Sequence, residues 1–323
     1  MPAVSVVICT HNRARILARA VGAALAEARA GDAEVLIVDN ASSDDTPAVL
    51  AALAADAGSL LRIVREPVLG LSAARNRALA DARAPIAAFL DDDAVPRPGW
   101  LSALRPAFAD ERVACAGGPI RLHFPTPPPA WLTPEFHPAL TAFDLGTEPR
   151  RLHDVPSWEY PYGANVAFRV AAARAHGGFS PRFGHRGRRQ LQHEETDLCL
   201  RLDRGGAHLV YVPDAAVDHW VLPDRLTPAF FLRRHWQRGQ SGALCELRNR
   251  GLRPALRLLK WYHGKYLRGA PYRPGAVVDP ERLLAACRQR EAIGYVLGLA
   301  RGVLVERAHR DSTAAPRAAA VAT

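Results

Sequence analysis

Three consecutive carboxylates, Asp91, Asp92 and Asp93, close a short apolar run over residues 86–90, and the Val-Pro-Arg-Pro-Gly sequence behind them blocks helical continuation. Charge is thereby placed at a strand end. In an open parallel α/β sheet, ligands bind in the crevice outside the carboxyl ends of the strands. Adjacent carboxylates repel one another unless a cation sits among them, and a hard divalent ion with oxygen ligands is the simplest candidate. A solvated acidic turn suits the same three residues equally well. Further polar residues collect at other strand ends: Thr10, Asn12, Arg13, Asp39, Arg75 and Asn76 offer donors and acceptors suited to a base, a ribose and a diphosphate.

The elements that must position these residues repeat a simple unit. Residues 4–9 form a β-branched apolar strand, followed by Thr10-His11-Asn12-Arg13 and a helix with Ile16, Leu17, Ala20, Val21, Ala24 and Leu25 on one face. Residues 34–38 form a second strand, ending in Asp39-Asn40-Ala41-Ser42-Ser43-Asp44, whose side chains suit capping of a helix over 47–55. Strands at 60–64 and 86–90 flank a helix that opens near Leu71 and ends by Arg83. Four such units in about ninety residues imply a mostly parallel sheet with right-handed crossovers. No GxGxxG follows the first strand and no GxxxxGK[ST] occurs, so the dinucleotide and P-loop sites both lack their glycines.

Composition narrows the class. At 323 residues the chain is long enough to bury a large α/β core. Its five cysteines, Cys9, Cys115, Cys199, Cys245 and Cys287, are odd in number and widely spaced in apolar segments, which favours reduced core thiols over disulfides or a zinc site. The N-terminus runs directly into a strand, and no apolar run approaches the roughly 18 residues of a membrane span, so a cytoplasmic protein is expected. The formal charge of +10 is concentrated: residues 225–273 carry ten arginines and two lysines against one acid, Glu246. Such a region suits phosphorylated ligands, an anionic membrane surface or nucleic acid, or is a solvated basic face.

Four strings in series, SVVICTHNR, LIVDNASSDDT, GLSAARNRAL and IAAFLDDDAVPRPGWL, resemble the N-terminal half of a family 2 glycosyltransferase with the GT-A fold. The resemblance implies a Rossmann-like, mostly parallel α/β sheet flanked by helices, and a nucleotide-diphosphate-sugar site. In it Thr10 and Asp39 contact the base, with Asn12, Arg13 and Asn40 beside them, while Arg75 and Asn76 lie near the ribose or diphosphate. Asp91-Asp92-Asp93 becomes the family's DxD motif, and Asp93 the expected direct ligand of Mn2+ or Mg2+, with Asp91. Further on, GANVAFR with Asn165 and the Gly177-Gly178-Phe179 break also resemble the family, as does the acidic pair opening HEETDLCLR. The usual second member of that pair is Asp; here it is Glu195, one methylene longer, and the choice of catalytic base lies between Glu194 and Glu195, with Glu195 preferred. The segment ending in His219 resembles the one that completes the metal site in the family, for which a structural histidine is the equal alternative. A basic segment after that histidine implies phosphate contact by Arg233, Arg234 or Arg238.

The implied organisation is a GT-A catalytic domain over 1–222, split into a nucleotide-sugar half (1–118), a Pro/aromatic-rich insertion (119–162) and an acceptor and base half (163–222). A helical basic region over 223–308 and a disordered tail over 309–323 follow. In the insertion, Trp131, Trp158, Tyr160 and Tyr162 suit either an acceptor wall, with Asn165, or local packing. The expected activity is metal-assisted, inverting transfer of a sugar from a nucleotide diphosphate, UDP first, to a hydroxyl of a glycan, lipid-linked saccharide or small natural product. Two rivals stand beside it. A nucleotidyltransferase of related fold would need a glycine-rich, basic triphosphate loop after the first strand, which is absent. A non-catalytic basic protein would act on nucleic acid or a membrane surface through 225–273. No nucleic-acid partner is expected, and peripheral contact with the inner face of a membrane through the basic region is left open.

Overall fold

The computed structural model describes residues 2–187, 189–266, 272 and 277–314, and the chain divides into two compact units, Met1–Thr227 and Pro228–Thr323. The first unit opens as the periodicity predicts: β1 (Val4–Thr10), α1 (Leu17–Ala30), β2 (Ala33–Asp39), α2 (Thr46–Ala57), β3 (Leu61–Arg65), α3 (Leu71–Asp81) and β4 (Ile86–Asp91). Val6, Val7, Ile8, Leu36, Ile37 and Val38 are fully buried, as expected of inner parallel strands covered on both faces. Each such side chain contributes about 1.5–3 kcal/mol by leaving water. Strand β3 instead reads buried, half-buried, exposed, because it forms the sheet edge. The helix expected over 47–55 starts at Thr46, where Asp44 Oδ1 accepts from the Thr46 amide at 2.9 Å.

Beyond β4 the chain departs from the simple repeat. It continues through β5 (Ala94–Pro96), α4 (Trp100–Leu104), β6 (Val113–Gly117), β7 (Ile120–His123), β8 (Arg150–Leu152), β9 (Val166–Arg169) and α5 (Val170–Ala175). A small hairpin of β10 (His185–Arg186) and β11 (Arg189–Gln190) precedes α6 (Glu194–Arg204), β12 (His208–Tyr211) and β13 (Val217–Trp220). Eight strands form the main sheet in the order β3-β2-β1-β4-β9-β6-β12-β8. β9 runs antiparallel to both β4 and β6, and β8 antiparallel to β12, so the sheet is parallel in its first half and mixed in its second. In a separate sheet, β5-β13-β7, strand β13 pairs with residues about a hundred or more positions earlier in the chain. The Pro-rich stretch over 119–162 is packed, with Phe136, Leu140, Phe143 and Tyr160 buried and β8 adding an edge strand.

Phe89, Phe168 and Phe179 meet edge to face at 5.3–6.2 Å between β4, β9 and the loop before the hairpin. All five cysteines are free, as expected, and the sulfurs of Cys115 and Cys199 lie 3.7 Å apart in the core.

The second unit is helical: α7 (Pro228–Arg250), α8 (Leu252–Tyr266) and α9 (Pro280–Ala314). Ala243, Leu247, Ala255, Tyr295 and Leu299 form its buried cluster. Helices α7 and α9 touch backbone to backbone, since a Cβ at Gly239 would lie 2.0 Å from the Glu291 carbonyl and one at Gly294 2.3 Å from that of Trp236. The tail expected from His309 starts inside α9, and residues 315–323 lie outside the described residues. Among the described residues no helix is long and apolar enough to cross a membrane.

Asn165 was expected to meet the acceptor; the structure places it in the core at 0% exposure. Its Oδ1 accepts from Trp100 Nε1 at 2.9 Å, and its Nδ2 donates to the carbonyls of Pro119 (3.0 Å) and Ala215 (2.7 Å). The amide thus ties α4 to the turns that flank β7 and β13. Removing it leaves Trp100 Nε1 and the Ala215 carbonyl without this partner, while the Pro119 carbonyl keeps the Val217 amide, so Asn165→Ala should lower unfolding free energy by about 2–3 kcal/mol in a urea titration with unchanged m-value. A loss below about 1 kcal/mol would show that the amide is dispensable.

Candidate active site

Parallel register brings the polar strand ends together. Thr10 pairs with Asp39 across β1 and β2, and Cys9 with Asp91 across β1 and β4, so three strand tips emerge at one end of the sheet. The turn between β4 and β5 then sorts the three aspartates. Asp92 turns toward β1, accepting from Thr10 Oγ1 at 2.9 Å and facing Arg13 Nε at 3.5 Å. Burial, then the neighbouring Asp93 charge, push the Asp92 carboxyl up to about 7.

Asp91 and Asp93 point elsewhere. In the small sheet His219 sits opposite Ala94, and the Trp220 amide donates to the Asp93 carbonyl at 2.8 Å. That pairing sets His219 Nε2 3.1 Å from Asp93 Oδ1. Asp91, Asp93 and His219 each offer one ligand atom, all within 4.8 Å of one another. Two carboxylates and a buried imidazole are a donor set that fits Mn2+ or Mg2+, with more ligands to come from a substrate or water. Arg225 completes the wall, its NH2 donating to Asp93 Oδ2 at 2.7 Å and its NH1 lying 3.4 Å from His219 Nε2. Burial alone would raise the Asp93 carboxyl, but His219 and Arg225 outweigh it and hold Asp93 well below the usual carboxylate range.

A second pair of carboxylates stands across a single guanidinium. Helix α6 begins at Glu194, directly after His193 at φ 76°, and carries Glu194, Glu195 and Asp197 in its first turn, where the helix dipole favours negative charge. Arg75 is 3% exposed; its NH1 donates to Glu194 Oε1 at 2.7 Å and stands 3.9 Å from Glu195 Oε2, while its NH2 donates to Asp91 Oδ1 at 3.2 Å. Phe179 lies 5.5 Å beneath the guanidinium. Burial would lower the Arg75 pKa, but Glu194, Asp91 and Glu195 together raise it. The Glu194 carboxyl is pushed up to about 8, by burial first and the Glu195 charge second, with Arg75 opposing. Glu195 Oε1 accepts from the Gly163 amide at 3.2 Å, and its Oε2 has no hydrogen-bond partner.

Other expected residues hold loops. Asn12, at φ 55°, accepts from the Ser43 amide at 2.8 Å, joining the turns after β1 and β2. Asp39 accepts from the Ser42 amide, and Asn40 bridges the carbonyls of Glu66 and Val68 to the Gly70 amide that opens α3. Asn76 exchanges two hydrogen bonds with the Phe179 backbone, both at 2.8 Å, next to Gly178, where a Cβ would fall 2.5 Å from its Oδ1. Trp158 is 61% exposed, Tyr162 packs on Phe143, and Trp131 packs edge-on against Phe136. Arg238 belongs to the second unit, where it pairs with Glu291 at 2.6 Å.

Three contributors escaped the sequence reading. Arg225 was one cation among many in a basic stretch. Gly163 is needed because a Cβ there would lie 2.1 Å from Arg75 NH2. Arg201 reaches Asp197 and the carbonyls of His176 and Gly178, fixing α6 against the glycine loop. The Asp197-to-Arg201 spacing was the one available signal, being i,i+4 on a helix.

The family model described as glycosyl transferase family 2 matches residues 5–177. The pre-mycofactocin glycosyltransferase of Mycobacterium tuberculosis is 35% identical over 150 residues, 46% of this chain and 30% of that protein, so the chain spans less than a third of that relative's length. The glucosyl-dolichyl phosphate glucuronosyltransferase of Haloferax volcanii is 24% identical over 253 residues, 76% of this chain and 77% of that protein. Among solved structures, the mannosyltransferase PcManGT from Pyrobaculum calidifontis, in complex with GDP-Man and Mn2+, superposes with a TM-score of 0.54 at 19% identity, covering 98% of this chain and 76% of that one. This last likeness bears on the fold alone.

The raised Glu194 carboxyl makes stability pH-dependent in a defined direction. Its unfolded value is near 4.5 and its folded value about 8, so the stability it contributes is complete below about 4.5 and is lost as pH climbs toward 8. Between pH 5 and 8 the melting temperature of the native protein should therefore fall relative to that of Glu194→Gln. Parallel profiles would rule out a proton retained in this pair.

Proposed function

The chain belongs to glycosyl transferase family 2, and from that premise we propose that it moves a sugar from a nucleoside diphosphate to an acceptor hydroxyl with inversion at the anomeric carbon. The observation that carries this reading is one buried guanidinium, Arg75, bonded to Asp91 on one side and to Glu194 on the other. It couples a metal-type cluster to a carboxylate pair, which is the arrangement that displacement of a diphosphate by a deprotonated hydroxyl requires. Asp91, Asp93 and His219 hold the cation in this reading, and a bound Mn2+ or Mg2+ supplies charge stabilisation to the departing diphosphate.

The chain's own groups divide the remaining work. Glu194 and Glu195 each keep one oxygen without a hydrogen-bond partner, but the other oxygen of Glu194 is bonded to the Arg75 guanidinium whereas that of Glu195 accepts only from the Gly163 amide, so Glu195 is the group to take the acceptor proton. Because base and leaving group act from opposite sides in a single displacement, the product is inverted. Uridine is the expected nucleoside of the donor, and the GDP-Man of the archaeal mannosyltransferase makes guanosine its competitor. The acceptor is a glycan, a lipid-linked saccharide or a small natural product, and the glucosyl-dolichyl phosphate in the name of the Haloferax relative favours the lipid-linked class.

A lipid-linked acceptor would be met at a membrane surface. Helix α8 exposes Arg253, Arg257 and Lys260 at the middle of its outward face, with Leu252 and Leu256 on one flank and Trp261 on the other, a cationic strip with apolar flanks that suits an anionic bilayer. The native chain should co-sediment with phosphatidylserine vesicles and release from them in high salt, while Leu256→Glu should bind less. Equal partition onto pure phosphatidylcholine vesicles would remove the electrostatic contact.

The catalytic assignment is tested at Glu195. Glu195→Gln should bind UDP or GDP with Mn2+ within about threefold of the native affinity in a thermal-shift titration, yet lose transfer by about 10²–10⁴-fold. Native turnover in that variant would remove Glu195 as the base.

A further inference from the structure

The cation pocket already contains a guanidinium, and its two arginines are held differently. Arg75 touches Asp91 from behind, but it is 3% exposed and is fastened on its other side by Glu194. Arg225 comes from the short turn Pro223–Arg225 that follows β13, with its side chain 21% exposed. Among the described residues its one ion pair is the 2.7 Å contact with Asp93. Its other terminal nitrogen lies 3.4 Å from Nε2 of His219, the same nitrogen that stands 3.1 Å from Asp93 Oδ1. Those two ligand atoms are spaced as neighbouring ligands of one small cation would be, given metal bonds of about 2.0–2.2 Å.

We propose that Arg225 is the exchangeable cation of this pocket: it neutralises Asp93 until a divalent ion and an anionic diphosphate arrive together, and it then transfers from the carboxylate to the diphosphate. This inference rests on the metal-dependent reading above and adds to it a residue that sets the order of binding. The argument is electrostatic. A divalent ion between Asp93 Oδ1 and His219 Nε2 would face a full positive charge a few ångströms away, in a region where Asp93 and His219 are both buried and screening is weak. Arg225 must therefore yield, or the ion binds poorly. Yielding is unfavourable by the loss of a charge-assisted hydrogen bond, unless a diphosphate gives the guanidinium a new bidentate partner. Metal and nucleotide should thus bind cooperatively, each strengthening the other through one side chain.

The opposite role is a concrete alternative. If Arg225 only orients Asp93 from outside the coordination sphere, its removal must weaken metal binding, as loss of supporting contacts around ligands does. The sign of the change separates the two.

Binding of Mn2+ to the full chain would be followed by electron paramagnetic resonance of the free ion, with and without UDP or GDP, for the native protein, Arg225→Gln, Arg225→Lys and Asp93→Ala. Arg225→Gln should bind Mn2+ alone about tenfold more tightly than the native chain, the scale of one charge-assisted hydrogen bond. The factor by which nucleotide strengthens Mn2+ binding should shrink in the same variant. Arg225→Lys, which keeps the charge, should stay near native in the nucleotide-free titration. Unchanged or weaker Mn2+ binding by an Arg225→Gln protein that melts cooperatively would overturn the exchange, as would undiminished coupling to nucleotide. If the native chain binds no Mn2+, or Asp93→Ala binds it equally well, the metal-dependent reading itself fails and the exchange falls with it.

Discussion

The first unit depends on how a buried positive charge is kept content. Arg75 is almost wholly out of water, and an unpaired guanidinium there would be strongly destabilising. Its partners come from two distant places, Asp91 at the tip of β4 and Glu194 at the first turn of α6, which lies 119 residues further along the chain. Close approach is possible because position 163 carries no side chain. The same contact therefore closes the pocket, fixes α6, and leaves Glu195 without a charged hydrogen-bond partner. Burial first, and then the excess negative charge of three carboxylates around one cation, make Glu194 hold its proton toward pH 8.

A second constraint is the small sheet. Strand β13 carries His219 and pairs antiparallel with β5, so the residue beside Ala94 is fixed by backbone hydrogen bonds and not by a loop. Rigid placement matters because ligand sets tolerate errors of only a few tenths of an ångström. The turn that bears Arg225 follows directly, which places a mobile-length cationic side chain against a rigid anionic one.

The C-terminal unit follows a different logic. Glycines let α7 and α9 meet at backbone distance, and a polar network fills the space beside them: Glu291 accepts from Tyr262 at 3.0 Å and pairs with His235 and Arg238. Burial would raise the Glu291 carboxyl, but Arg238 and His235 outweigh it and hold it well below the ordinary range. Buried charge of this kind is paired within the unit, whereas the cations of α8 face outward.

How much of this was legible beforehand varies by element. Apolar periodicity located the first four strands and three helices within a few residues, because inner parallel strands and their covering helices are dictated by local burial. The triple aspartate, the acidic pair of α6 and His219 were visible as residue types in telling places. Their assembly was not visible. Asn165 looked like a polar residue near an aromatic wall, yet three long-range hydrogen bonds bury it; Arg225 looked like one charge among a dozen, yet it meets Asp93 across 132 residues. The sequence by itself determined which groups could do chemistry and which segments would be strands or helices, since those follow from side-chain type and local spacing. Only the tertiary structure decided which carboxylate meets which cation, because that depends on strand order and register, and pairing between distant strands leaves no local mark on the chain.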